Sequence, residues 1–281
     1  MDIAEQNNTS ASMSPNGVAA LRYKRVVVKA GTSVLTGGSD MLHLPTVSGL
    51  VDQIAAIHDL GAEVMLVTSG AIAAGRKPLG VKSDLPNVNF RQVLAAVGQN
   101  RLMHAYSLLF EPKGINIAQV LLTWDDLADV EHSRNVHRTL DSLLELRVVP
   151  VINENDVVAV EEIGEVFGDN DMLSAMVAKL MKADLLVILT DADGLMTADP
   201  RIDSKAKRIP RVDNIDGQVE SLAGKKLNPW SRGGMKTKVE AARLATSAGV
   251  TVVVCDGRRP NVVGRVEAGE DVGTLFAAGR V

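Results

Sequence analysis

From Arg25 onward, short runs that are apolar at nearly every position alternate with longer segments whose apolar residues recur at helical spacing. The short runs are Arg25 to Ala30, Glu63 to Thr68, Ile117 to Leu122, Val148 to Asn153, Leu185 to Thr190 and Val250 to Cys255. Unbroken apolar runs of this length predict strands covered on both faces, as in a largely parallel sheet. Between them Val47, Leu50, Val51, Ile54, Ile57 and His58 trace one helix, with Gly61 as its expected stop, and Leu140, Leu143, Leu144 and Leu146 trace another. The stripe Leu173, Met176, Val177, Leu180, Met181 is the cleanest of all. Strand and helix in alternation predict an α/β fold, a three-layer αβα sandwich around a central, mainly parallel sheet. A hairpin is expected from Val157 to Val160 and Glu165 to Phe167, lying over the carboxyl edge of that sheet.

In such sheets ligands sit beyond the carboxyl ends of the strands. Polar residues gather there: Lys29 to Ser33 after strand one, Thr68 to Gly70 after strand two, Asn153 to Asp156 after strand four, and Thr190 with Asp191 closing strand five. Lys29 emerges from a buried run, where an ammonium calls for an anionic partner, and Gly31 admits a ligand close to the backbone. Arg232, Gly233, Gly234, Met235, Lys236, Thr237 and Lys238 lead into a further helix. A glycine pair at a helix start offers amide donors at the positive end of the dipole, suited to polyphosphate. The cluster Phe167 Gly168 Asp169 Asn170 Asp171 opens the Leu173 helix and carries more polar groups than one cap requires.

Two common phosphate motifs are absent: there is no G-x-x-x-x-G-K-[ST], and no two glycines are spaced i, i+2. His43, His58, His104, His132 and His137 show no ligand spacing with acids or with Cys255, so metal hydrolysis is not supported and no protein-held metal is expected. The remaining acids are Glu154, Asp156, Asp169, Asp171 and Asp191. Phosphoryl transfer needs lysines on the migrating group and a divalent ion on the nucleotide phosphates, with positioning more than covalent chemistry. An acid between Lys29 and Lys238 would orient both ammoniums, and Asp171 is the choice for that role. A carboxylate acceptor is ionised at neutral pH and needs no general base.

Composition narrows the rest. The 281 residues are 46% hydrophobic, enough for one large α/β domain, and the formal charge of -4 gives no reason to expect nucleic acid. No stretch reaches the roughly 18 apolar residues of a membrane span. Residues 1–22 predict a flexible polar tail and 23–281 a single domain. Cys255 is the lone cysteine, at the end of a buried strand, so a cytoplasmic protein is expected. The basic residues Lys205, Lys207, Arg208 and Arg211 read as a solvated face.

These motifs together resemble the amino-acid kinase family, in particular its glutamate-phosphorylating members, over about residues 24 to 277. The resemblance rests on Val28 to Leu35, Val67 to Gly75, Gln119 to Thr123, Val151 to Asp156, Gly168 to Asp171, Leu189 to Asp191, Gly194 with Leu195, Thr197 to Pro200, and Gly233 to Met235 with Thr237 and Lys238. It implies transfer of the γ-phosphoryl group of ATP, with Mg2+ carried by the nucleotide, to the side-chain carboxylate of L-glutamate, the first step of proline biosynthesis. By position, Lys29 and Lys238 would grip the transferring group with Asp171 between them. Ser69, Asn153, Asp156 and Asn170 would hold glutamate. Lys29, Thr190, Asp191 and the loop Arg232 to Lys238 would face the nucleotide. The resemblance also implies a homo-oligomer and proline as a feedback inhibitor. Where the family's phosphate loop usually reads Gly-Thr-Gly-Gly-Met, this chain has Ser231 Arg232 Gly233 Gly234 Met235. Many relatives carry a C-terminal PUA domain, for which there is no room before Val281. Two other readings stay open: the same fold with another acceptor, such as N-acetylglutamate, aspartate or UMP, and an inactive regulator that binds glutamate or proline.

Overall fold

The computed structural model describes residues 21–81, 88–159, 170–200, 202–224 and 234–279. Its strands are β1 (Arg25–Ala30), β2 (Glu63–Thr68), β3 (Ile117–Leu122), β4 (Val149–Glu154), β5 (Leu185–Thr190), β6 (Arg211–Val212), β7 (Thr251–Asp256) and β8 (Gly273–Phe276). The helices are α1 (Thr32–Leu35), α2 (Leu44–Asp59), α3 (Ala71–Arg76), α4 (Val88–Phe110), α5 (Trp124–Ala128), α6 (Val130–Glu145), α7 (Asn170–Leu180), α8 (Gly217–Leu222), α9 (Met235–Ser247) and α10 (Val262–Glu267). All strands join one sheet in the order β3-β4-β2-β1-β5-β7-β8-β6, parallel except where β8 runs against β7.

Side chains of a strand point alternately to its two faces, and both faces here are covered. Val26, Val28 and Ala30 of β1 pack with residues of α2, α4 and α10, whereas Val27 packs with residues of α6, α7 and α9. Lys29 shares the parity of Val27 and therefore points toward α7 and α9. Thr68 shares the parity of Val64 and Leu66, and Asn153 that of Val149 and Val151, so both turn toward α4. In register, Lys29 pairs with Val67 of β2, and Val67 with Ile152 of β4. Thr68 and Asn153 stand one row nearer the carboxyl edge.

Helices α3 and α4 meet backbone to backbone. A Cβ placed on Gly98 would come to 1.8 Å from the Ala71 carbonyl oxygen, and one on Gly75 to 2.0 Å from that of Leu94. No other residue fits at either position.

All six expected strands lie within a residue of their sequence bounds: β1, β2, β3 and β5 coincide with them, and β4 and β7 start and end one residue later. Part of the expected hairpin is corrected: Asp156 to Val158 form a turn, with Val158 N and Ala159 N donating to the Asn155 carbonyl. Its remainder, from Val160 to Phe167, lies outside the described residues, as do residues 1–20. The basic stretch is not wholly solvated, because Arg208 is half-buried and forms a forked pair with Asp271 at 2.7 and 2.9 Å. Cys255 is buried, and its thiol is pushed up to about 12, chiefly by burial and further by neighbouring Asp256. No helix among the described residues is long and apolar enough to cross a membrane.

Candidate active site

Three elements from distant parts of the chain deliver charged groups to one point. Lys29 comes from the carboxyl end of β1, Asp171 from the first turn of α7 and Lys238 from the first turn of α9. Lys29 Nζ lies 2.6 Å from Asp171 Oδ1, and Lys238 Nζ 2.9 Å from Asp171 Oδ2. All three residues are buried, Asp171 completely. Burial by itself would raise the Asp171 carboxyl, but the Lys29 and Lys238 ammoniums outweigh it and hold the group well below the usual carboxylate range. Thr237 Oγ1 shares its proton between Asp171 Oδ2 at 3.0 Å and the Gly234 carbonyl at 2.9 Å, so the start of α9 is tied to the carboxylate twice.

Two ammoniums on one carboxylate leave a net positive charge in a place from which water is excluded. Such a site attracts a polyanion. The absence of a side chain at Gly31 keeps the ammonium uncrowded, since a Cβ there would lie only 3.3 Å from Lys29 Nζ.

On the α4 side the sheet edge carries neutral polar groups. Asn170, next to Asp171, donates from Nδ2 to the Thr68 carbonyl (2.8 Å), to Ser69 Oγ (2.9 Å) and to Asn153 Oδ1 (3.0 Å). Thr68 Oγ1 lies 2.7 Å from the buried Tyr106 hydroxyl of α4. Asn153 Nδ2 donates to Gln99 Oε1 at 2.9 Å. Sequence reading named Ser69, Asn153 and Asn170, and the structure brings them into one network. Thr68 belongs to the polar cluster expected after strand two, whereas Gln99 and Tyr106 of α4 are members that the sequence did not reveal. The available signal for Gln99 was a polar residue directly after a mid-helix glycine.

Of the other expected residues, Asp156 is half-buried at the turn after β4. Thr190 is buried at the end of β5, with Oγ1 donating to Asp191 Oδ1 at 3.2 Å, and the Asp191 carbonyl accepts from Arg258 Nη2 at 2.7 Å. Gly234 precedes α9, with Met235 half-buried and Lys236 exposed and 3.7 Å from Glu240. Asp169, Arg232 and Gly233 lie outside the described residues. No three His, Cys, Asp or Glu side chains come together as a metal cage among the described residues.

Residues 24–256 match the model of the amino acid kinase family. The chain belongs to that family. Among curated relatives of this amino acid kinase, the glutamate 5-kinase of Dehalococcoides mccartyi (strain ATCC BAA-2266 / KCTC 15142 / 195) is 51% identical over 255 residues, covering 90% of this chain and 68% of its own length. The glutamate 5-kinase of Geobacter sulfurreducens is 46% identical over 259 residues, covering 92% and 69%. Two solved structures share the fold: UMP kinase from Bacillus anthracis, with a TM-score of 0.64 at 20% identity over 92% of this chain and 97% of its own, and isopentenyl phosphate kinase from T. acidophilum, at 0.61 and 19% over 90% and 99%.

Proposed function

We propose that this amino acid kinase is a glutamate 5-kinase, moving the γ-phosphoryl group of ATP to the side-chain carboxylate of L-glutamate as the first step of proline biosynthesis. The observation that carries the reading is the Lys29–Asp171–Lys238 cluster, set beside a network of side-chain amides in a chain about half identical to named glutamate 5-kinases. A glutamate carboxylate oxygen attacks the γ-phosphorus, the bond from that phosphorus to the bridging oxygen breaks, and ADP leaves with the electron pair. The acceptor is ionised at neutral pH, so no side chain need remove a proton.

Negative charge on the transferring group and the leaving oxygen is met by Lys29 and Lys238. Asp171 holds both ammoniums at fixed positions, so little reorganisation is needed as charge develops. Thr190, Asp191, the Gly234 end of α9 and the preceding Arg232 and Gly233 are assigned to the nucleotide. Ser69, Asn153, Asp156 and Asn170 are assigned to glutamate, with Asp156 suited to the ammonium group. Mg2+ carried by the nucleotide would neutralise further phosphate charge, since Asp171 is already committed to two lysines. Proline, a smaller relative of the acceptor, is assigned to the same site as a feedback inhibitor.

Purified protein given ATP, Mg2+ and L-glutamate with hydroxylamine should accumulate glutamyl hydroxamate. Phosphorylation of UMP or N-acetylglutamate with no glutamate-dependent product would replace this reading with another acceptor.

A further inference from the structure

The amide network at the α4 side has a direction, and two backbone groups set it. A side-chain amide can present either end to a neighbour, and its orientation has to come from partners whose role is fixed. The Glu154 backbone N–H can only donate, and it meets Asn153 Oδ1 at 2.9 Å. Asn153 must therefore turn Nδ2 toward Gln99, and Gln99 must answer with Oε1. At the other end the Thr68 carbonyl can only accept, and it meets Asn170 Nδ2 at 2.8 Å. Oxygen and nitrogen are thus assigned along the whole row of Gln99, Asn153 and Asn170.

Two atoms at the ends of this row are buried with no hydrogen-bond partner: Gln99 Nε2, a donor, and Asn170 Oδ1, an acceptor. Leaving a buried amide donor unmatched is unfavourable unless a ligand completes it. A donor at one end and an acceptor at the other suit a molecule bearing both an anionic and a cationic group. An α-amino acid is such a molecule.

Position decides which of its groups meets Gln99. The phosphoryl centre is built on β1, on the face of α7 and α9. Gln99 meets the sheet at β4, two strands away and on the face of α4, a lateral separation of about 10 Å from β1 at the usual strand spacing. The reacting carboxylate belongs beside the lysines. The carboxylate at the other end of the acceptor extends toward Gln99.

We propose that Gln99 binds the α-carboxylate of the acceptor through its Nε2 group, and that Asn153 holds it in the orientation that offers this donor. The assignment rests on the glutamate reading above, and its test separates the two. Gln99→Glu keeps an oxygen facing Asn153 Nδ2 but presents no donor and adds a like charge. It should raise the KM for glutamate about tenfold or more, the size expected for a lost bond to a charged group. The kcat and the KM for ATP should stay within about twofold.

A second comparison does not depend on the variant folding. Unmodified enzyme should discriminate by about tenfold or more between glutamate and its α-carboxamide, which retains the reacting side-chain carboxylate. Gln99→Glu should lose most of that preference. An unchanged glutamate KM in Gln99→Glu, or equal use of the two acceptors by unmodified enzyme, would overturn the role of Gln99 while leaving glutamate phosphorylation in place. No turnover of glutamate by unmodified enzyme would remove both.

Discussion

Asp171 is a carboxylate that water does not reach, and its two oxygens are each matched by an ammonium. Removing its charge leaves Lys29 and Lys238 buried and facing one another, a worse outcome than removing either lysine. Asp171→Asn should therefore destabilise the fold by about 3–5 kcal/mol in denaturant titrations, as broken buried ion pairs commonly do. Lys29→Ala and Lys238→Ala should have another signature. The charge they meet grows during transfer, so kcat should fall about a hundredfold or more while the KM for glutamate moves little. Steady-state kinetics showing the loss in glutamate KM instead would place these lysines on the bound acceptor.

At the scale of elements, the pairing of α3 with α4 shapes the side of the site assigned to the acceptor. Gly98 lets the two backbones touch, and Gln99 follows it directly. A methyl group at Gly98 would collide with the Ala71 carbonyl, so Gly98→Ala should lower the melting temperature and raise the KM for glutamate more than that for ATP. Gly49→Ala in α2, where a Cβ meets nothing within 4 Å, is the matching control and should be neutral or slightly stabilising. This contact also marks where sequence reading stops. The strands of the sheet centre are legible because residues buried on both faces must be apolar throughout, and α7 is legible because one face alone is apolar. Helix α4 is harder to recognise: its buried Leu94, Ala95, Leu102, Tyr106 and Phe110 are interrupted by small and polar residues that serve the α3 contact and the site. Strands β6 and β8 are two and four residues long, too short to carry a period. Lys29, Asp171 and Lys238 could be grouped because the chemistry needed a counter-charge. Gln99 could not, because only the folded structure shows an amide donor left over.

For the molecule as a whole, the buried cluster links the site to stability. Asp171 has a carboxyl group lower in the folded protein than its ordinary 3.8. The sign follows from linkage: a lowered folded value stabilises above the unfolded value, and the benefit fades as pH falls through the folded one. The stability gap between the unmodified protein and Asp171→Asn should be constant from about pH 5 to 8 and narrow progressively below about pH 4. Thermal melts across that range would show it, and a gap that instead closed near neutrality would place the control in another group.

The sheet edge separates two tasks. The residues assigned to phosphate come from β1, α7 and α9 on one face, whereas the amides assigned to the acceptor come from β4 and α4 on the other, joined by Asn170 at the start of α7. Evolution, or a protein engineer, can therefore rebuild one side as an interchangeable socket while the other is left alone.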